Sequence, residues 1–201
     1  MNKKPRGGGA GQIRIIGGLW RGRKLPVPDS AGLRPTTDRV RETLFNWLAP
    51  DIQGARCLDC FAGSGALGLE ALSRHAASAT LLELERPVAQ QLEKNLATLG
   101  AKTGRVLNVN TLQYLAQGGE PHDLIFLDPP FRKGLLEQTI DQLETQGWLA
   151  ESALIYVESE VEHGLPPVPV SWQLYREKIA GQVAYRLYHR QIAEKEQKNA
   201  D

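Results

Sequence analysis

A chain of 201 residues, 41% of them hydrophobic and 23% charged, has the length of one domain and enough apolar mass for a proper core. Its 24 lysines and arginines balance 23 aspartates and glutamates, so net charge alone says little about partners, but the order of the charges says more. No apolar run approaches the length of a membrane helix and the basic start lacks the apolar core of a signal peptide, so a cytoplasmic protein is expected.

Lys3, Lys4, Arg6, Arg14, Arg21, Arg23 and Lys24 all precede the first acidic residue, Asp29. Such asymmetry is the footprint of a segment lying on phosphates, and residues 1–34 read as a basic extension in contact with nucleic acid. Ile13 to Ile16 predict a short strand. Residues 17–24 then interleave Trp20 with arginines and glycines, which suits either stacking on a base or a plug against the domain. Pro26 and Pro28 keep the connection extended. Thr36, Thr37 and Asp38 are good N-cap residues, and Val40, Leu44, Trp47 and Leu48 recur at helical spacing, predicting a helix that stops near Pro50. Arg34, Arg39 and Arg41 crowd the start of this helix, where its dipole favours acids, which hints at an anionic ligand.

From Ala55 onward strands and helices alternate. Strands are expected at 56–59, 80–83, 106–109, 124–127 and 154–157, with helices at 66–74, after Pro87 to Gly100, at about 111–116, and through Leu135 to Leu143. The segments 172–178 and 182–189 are both strand-like and separated only by residues 179–181, so they must form an antiparallel hairpin. The expected fold is α/β: a doubly wound, mostly parallel, seven-stranded Rossmann-like sheet ending in an antiparallel hairpin. Residues 35–190 form this domain and 191–201 a charged tail. Cys57 and Cys60 stand as C-x-x-C in an apolar strand with no second pair. None of His75, His122, His163 and His189 has zinc-ligand spacing, so reduced buried cysteines and no metal are expected.

Two stretches carry chemistry. Gly63-x-Gly65-x-x-Gly68 lies between a strand and a helix, where glycines admit a ligand close to the backbone and the helix start offers free N–H groups. Glu83 follows at the end of the next strand, placed to accept both hydrogen bonds of a ribose diol. Asp59, just before the loop, suits a ligand's ammonium group and would repel a pyrophosphate, which favours S-adenosylmethionine over a dinucleotide. Asp128-Pro129-Pro130-Phe131 leaves the fourth strand as a stiff bend with one carboxylate, free carbonyls and one ring, fitted to a planar group with N–H donors.

These motifs together resemble the class I S-adenosylmethionine-dependent methyltransferases that modify exocyclic amines of nucleic-acid bases. Residues 14–25 (RIIGGLWRGRKL) and 32–42 (GLRPTTDRVRE) narrow the resemblance to the RsmD family, whose members methylate N2 of guanine 966 in 16S ribosomal RNA. The likeness runs from about Arg14 to Arg190. It implies that Asp59, Gly63, Ser64 and Gly65 line the methionine end of the cofactor, that Glu83 binds its ribose, and that Asn110 meets the adenine amine with Leu84 and Leu112 nearby. Many relatives carry aspartate at the position of Asn110. Arg39 and Arg41 are expected to meet either the cofactor's carboxylate or RNA phosphate. Asp128, Pro129, Pro130 and Phe131 become the catalytic tetrapeptide. The implied substrate is 16S ribosomal RNA within a small-subunit particle, handled by a monomer. The tetrapeptide itself also suits an adenine-N6 methyltransferase acting on DNA or RNA, and the basic start suits a non-catalytic RNA-binding module.

Overall fold

The computed structural model describes residues 11–28, 36–130 and 133–192. Lys3, Lys4, Arg6, Arg34 and Phe131 therefore lie outside the described residues. Strands β3 (Arg56–Asp59), β4 (Ser78–Glu83), β5 (Gly104–Asn108), β6 (His122–Leu127), β7 (Leu149–Glu160), β8 (Trp172–Ala180) and β9 (Val183–Arg190) form one seven-stranded sheet in the order β5-β4-β3-β6-β7-β9-β8. The first five pair in parallel, whereas β9 pairs antiparallel with both β7 and β8. This is the expected sheet with its terminal hairpin. The hairpin turn is tighter than expected, with only Gly181 (φ 61°) and Gln182 between the strands, as a two-residue turn with positive φ demands.

Helices α1 (Asp38–Leu48), α2 (Ala66–Ser73) and α3 (Arg86–Leu99) cover one face, and α4 (Thr111–Leu115) and α5 (Lys133–Thr145) the other. Each strand alternates its side chains between them. Cys57, Phe126, Tyr156 and Leu187 join the first core, while Leu58, Ile125, Leu127 and Ile155 join the second. Phe45 of α1 packs 6.1 Å from Phe126, which in turn meets the Tyr156 ring edge-on at 6.4 Å. Thr37 caps α1 through its side chain, Pro87 sits in the first turn of α3, and Gly100 ends α3 at φ 65°. Both cysteines are buried and free, and burial pushes their thiols up.

The N-terminal stretch is more than an arm. β1 (Gly11–Arg14) pairs antiparallel with β2 (Lys24–Val27), a strand the prolines had disguised as a linker. Ile13, Ile15, Leu25 and Val27 are buried in the first core. The loop between them is fastened to the end of α2. Ile16 and Gly17 donate their N–H groups to the Glu70 carboxylate at 2.8 and 3.4 Å, Leu19 donates to the Ser73 carbonyl at 2.7 Å, and Ser73 Oγ donates to the Gly17 carbonyl at 2.6 Å. Glycine is required here by contact as well as by dihedral. At Gly18 (φ 78°) a Cβ would stand 2.0 Å from the Ser73 carbonyl oxygen, whereas at Gly22 (φ 80°) it would meet open space. Gly22→Ala is expected to cost about 1 kcal/mol, the penalty of left-handed backbone alone. Gly18→Ala is expected to cost at least about 2 kcal/mol more, read as a difference in urea-unfolding free energies.

Candidate active site

The carboxyl ends of the parallel strands carry the functional residues, as open α/β sheets require. β3 ends in Asp59, and the chain turns through Gly63 (φ 53°) and Gly65 (φ 79°) into α2. Gly65 caps α2 in left-handed conformation, and its missing Cβ makes room for Leu92, which a Cβ would approach to 2.4 Å. At Gly68 a Cβ would press on Leu81 at 3.0 Å, so the third glycine lets α2 lie close on the sheet. Glu83, at the end of β4, accepts from Gly63 N–H at 2.8 Å through Oε2 and from Glu85 N–H at 3.0 Å through Oε1. These bonds fix its carboxylate over the loop, and each oxygen keeps a lone pair for a hydroxyl.

Asp59 is 2% exposed, and its Oδ1 has no hydrogen-bond partner among the described residues. Burial is the main reason its carboxyl is pushed up to about 7; Glu83 and Glu158 add to the rise, and the backbone N–H groups of Phe61 and Gly68 oppose it. Asp128 stands well above the usual carboxylate range for the same reason, burial, reinforced by Glu158 and Asp59. The ends of β3, β4, β6 and β7 thus gather Asp59, Glu83, Asp128 and Glu158, and this proximity adds to the rise at Asp59 and Asp128. A cluster of this kind is matched to a cationic ligand and repels a pyrophosphate. Asp59 with an orphaned oxygen, Glu83 with spare lone pairs, and the Gly63-Ser64-Gly65 turn fit the ammonium, ribose and methionine parts of S-adenosylmethionine.

Asn110 caps α4, its Oδ1 accepting from Gln113 N–H at 3.1 Å, and it is exposed at the mouth of the site. Leu84 is exposed and Leu112 half-buried. Arg14, Arg21, Arg23, Lys24 and Arg39 are all exposed, with Arg14 spending part of its charge on Asp38 at 3.2 Å.

Two of the residues expected at an RNA surface are placed differently. Trp20 is half-buried and packs against the first core, the plug of the two readings given above. Arg41 is 2% exposed and turned inward: it donates to the Arg14 carbonyl at 2.8 Å, pairs with Asp38 at 2.6 Å, and lies 3.8 Å from the fully buried Glu70. A guanidinium so enclosed neutralises a buried acid and ties the N-terminal loop to α1, which leaves it no surface for phosphate.

Glu158 carries no motif and was missed. It is 8% exposed, and its Oε1 accepts from Tyr156 Oη at 2.7 Å and from Thr36 Oγ1 at 2.9 Å. Its one sequence signal was a charged residue two positions beyond Tyr156, on the inward face of a strand that is otherwise apolar. Glu160, Glu162 and His163, just beyond, bring three potential metal-ligand atoms together, but on exposed or half-exposed side chains with no buried partner.

Comparison with known proteins places the chain. The family described as "Conserved hypothetical protein 95" matches residues 13–189. The chain belongs to that family. It is 73% identical over 189 residues to a protein of Escherichia coli K12 named "Ribosomal RNA small subunit methyltransferase D", covering 94% of this chain and 96% of that one. A Haemophilus influenzae protein of the same name is 56% identical over 182 residues, 89% of this chain and 94% of the other. Among solved structures, a putative methyltransferase, yhhF, from Escherichia coli superposes with a TM-score of 0.86 at 72% identity, over 90% of this chain and 99% of that one. Family membership therefore spans the docked N-terminal hairpin as well as the sheet.

Proposed function

We propose that this chain transfers a methyl group from S-adenosylmethionine to the exocyclic N2 of a guanine in small-subunit ribosomal RNA. The observation that carries the reading is the acidic cluster at the strand ends, built for a cationic donor and set directly beside Asp128-Pro129-Pro130. The high identity to relatives named ribosomal RNA small subunit methyltransferase D supports the RNA substrate.

Bound S-adenosylmethionine supplies an electrophilic methyl on sulfur. Everything else is the work of this chain. Guanine N2 is a poor nucleophile because its lone pair is delocalised into the ring. Asp128 and the Pro129 carbonyl accept the two amine hydrogens and turn that lone pair toward the methyl group. Two consecutive prolines hold these acceptors on a backbone with little freedom. Phe131 stacks on the base, a contact worth ~1–3 kcal/mol. Positioning of this kind can supply on the order of 7–11 kcal/mol of the barrier. The target base must be unpaired or flipped, since a paired N2 is out of reach. The exposed Arg21, Arg23, Lys24 and Arg39 hold phosphates around it. Thr36, touching Glu158 just before α1, keeps the start of α1 and Arg39 next to the site.

The test is transfer of a tritiated methyl group to naked 16S RNA and to small-subunit particles, followed by nucleoside analysis. N2-methylguanosine is expected. N6-methyladenosine would move the reading to the other base, and no transfer to either substrate would overturn it.

A further inference from the structure

Guanine and adenine both offer an exocyclic amine, and one carboxylate beside that amine cannot tell them apart. The neighbouring ring nitrogen can: N1 of guanine carries a hydrogen, whereas N1 of adenine carries a lone pair. A second acceptor, fixed beside the first, would convert that difference into selectivity.

Glu158 is placed to be that acceptor. β6 and β7 run in parallel with Leu127 paired to Val157, so Asp128 and Glu158 emerge side by side. The two carboxyl groups lie close enough for Glu158 to help hold Asp128 above the usual carboxylate range. Donors from Tyr156 and Thr36 both fall on Oε1, which locks the carboxyl group and leaves Oε2 for another donor. Glu158 also lines, with Pro129 and Pro130, a cleft of about 600 Å³, open mouth included, whose far wall is formed by residues 163–167. The groups facing the pair are acidic or neutral: Asp59 from β3, Tyr156 on β7 and Tyr185 on β9. The nearest buried cation on β9, Arg186, is committed to Glu177 at 2.8 Å and to Ser159 Oγ at 3.3 Å. Among the described residues no cation satisfies this carboxyl pair, which leaves it open to N–H donors.

We propose that Glu158 accepts the N1–H of the target guanine while Asp128 holds its 2-amine, so that the paired carboxylates select guanine over adenine. The assignment rests on the base-methylating reading above. Adenine presenting its amine to Asp128 would aim the N1 lone pair at Glu158, acceptor against acceptor in a site with little water. Sites built around a substrate N–H reject analogues lacking it by far more than sites that merely fit a shape.

2-Aminopurine tests the effect: it keeps the 2-amine of guanine but lacks the N1 hydrogen and the 6-oxo group, and a variant at Glu158 tells those two losses apart. The experiment places the analogue at the mapped target position, in naked RNA or reconstituted particles, whichever accepts methyl, and measures kcat/KM. The wild-type protein is expected to prefer guanine by ~10²-fold or more. Glu158→Gln keeps an oxygen for Tyr156 and Thr36 and gains an amide N–H that can donate to a bare N1. It is expected to lose guanine activity by ~10–10²-fold and to narrow the preference at least ~10-fold, since a charge-assisted hydrogen bond is lost on one base and a new bond gained on the other. Its melting temperature should stay close to that of the wild type. Equal use of both bases by the wild type would overturn the assignment, as would a proportional loss on both in the variant. If Glu158→Gln does not fold, wild-type use of 2,6-diaminopurine decides: this base restores a substituent at C6 but not the N1 hydrogen, so rejection as strong as that of 2-aminopurine supports the assignment and use as good as that of guanine overturns it. Failure of the wild type on guanine itself would instead overturn the base-methylating reading.

Discussion

Asp128→Ala is expected to lower kcat for methyl transfer to guanine by ~10³–10⁴-fold while leaving S-adenosylmethionine affinity within a few-fold of wild type. The size follows from losing, in one step, the acceptor that turns the amine and the base that can take its proton. On the proposed assignment cofactor affinity is spared, because Asp128 holds the base whereas Asp59 and Glu83 hold the cofactor. Asp128→Asn separates the two roles. An amide oxygen still accepts one amine hydrogen, so the variant should retain at least ~10-fold more activity than alanine if orientation dominates.

The pH profile adds a second readout. Burial and the neighbouring Glu158 hold the Asp128 carboxyl well above its ordinary range. The protonated form is a weaker acceptor and cannot take the amine's proton, so kcat/KM should rise with pH until this group is ionised. With S-adenosylmethionine saturating, so that the titration of Asp59 does not enter, that limb should vanish in Asp128→Asn, whose side chain does not titrate. An unchanged profile, or unchanged turnover in Asp128→Ala, would remove Asp128 from the mechanism.

The glycine turn, Asp59, Glu83 and the Asp-Pro-Pro bend were legible in the sequence because each is local: a few consecutive residues fix the backbone path and the sheet topology supplies the rest. The alternation of apolar runs likewise gave the sheet, since period and turn chemistry are both short-range. What escaped was long-range. Glu158 comes beside Asp128 only because β7 lies beside β6, a neighbour relation that no spacing in the chain records. Arg41 read as a free cation because Glu70, the acid it neutralises, lies almost thirty residues away on α2. The N-terminal stretch read as a basic extension lying on nucleic acid for a similar reason. Its glycines and arginines suggested freedom, while the four buried aliphatics that dock it were too sparse to announce a hairpin.

Asp59→Asn should separate stability from function most sharply. In the folded protein the Asp59 carboxyl is pushed up to about 7, against an ordinary value of 3.8. Between those values the folded state binds the extra proton, so this residue's contribution to stability falls as pH rises from about 4 and is fully unfavourable above about 7. At one pKa unit per 1.36 kcal/mol, the penalty is on the order of 4 kcal/mol in the unliganded protein. Asparagine removes the charge but sets an amide among the N–H groups of Phe61 and Gly68, which returns part of that gain. A net rise in melting temperature at pH 8, shrinking toward pH 5, is therefore expected without cofactor. With cofactor the sign reverses. An ammonium group pairs with the ionised form of Asp59, so wild-type affinity should decline by up to tenfold per unit as pH falls below about 7. The variant should bind at least ~10²-fold more weakly at pH 8, having lost a buried charge-assisted hydrogen bond, and show no such slope. Calorimetric titration with S-adenosylmethionine across this range measures both. A variant that binds as tightly as wild type would show that Asp59 is held in its costly buried state for some reason other than the cofactor's charge.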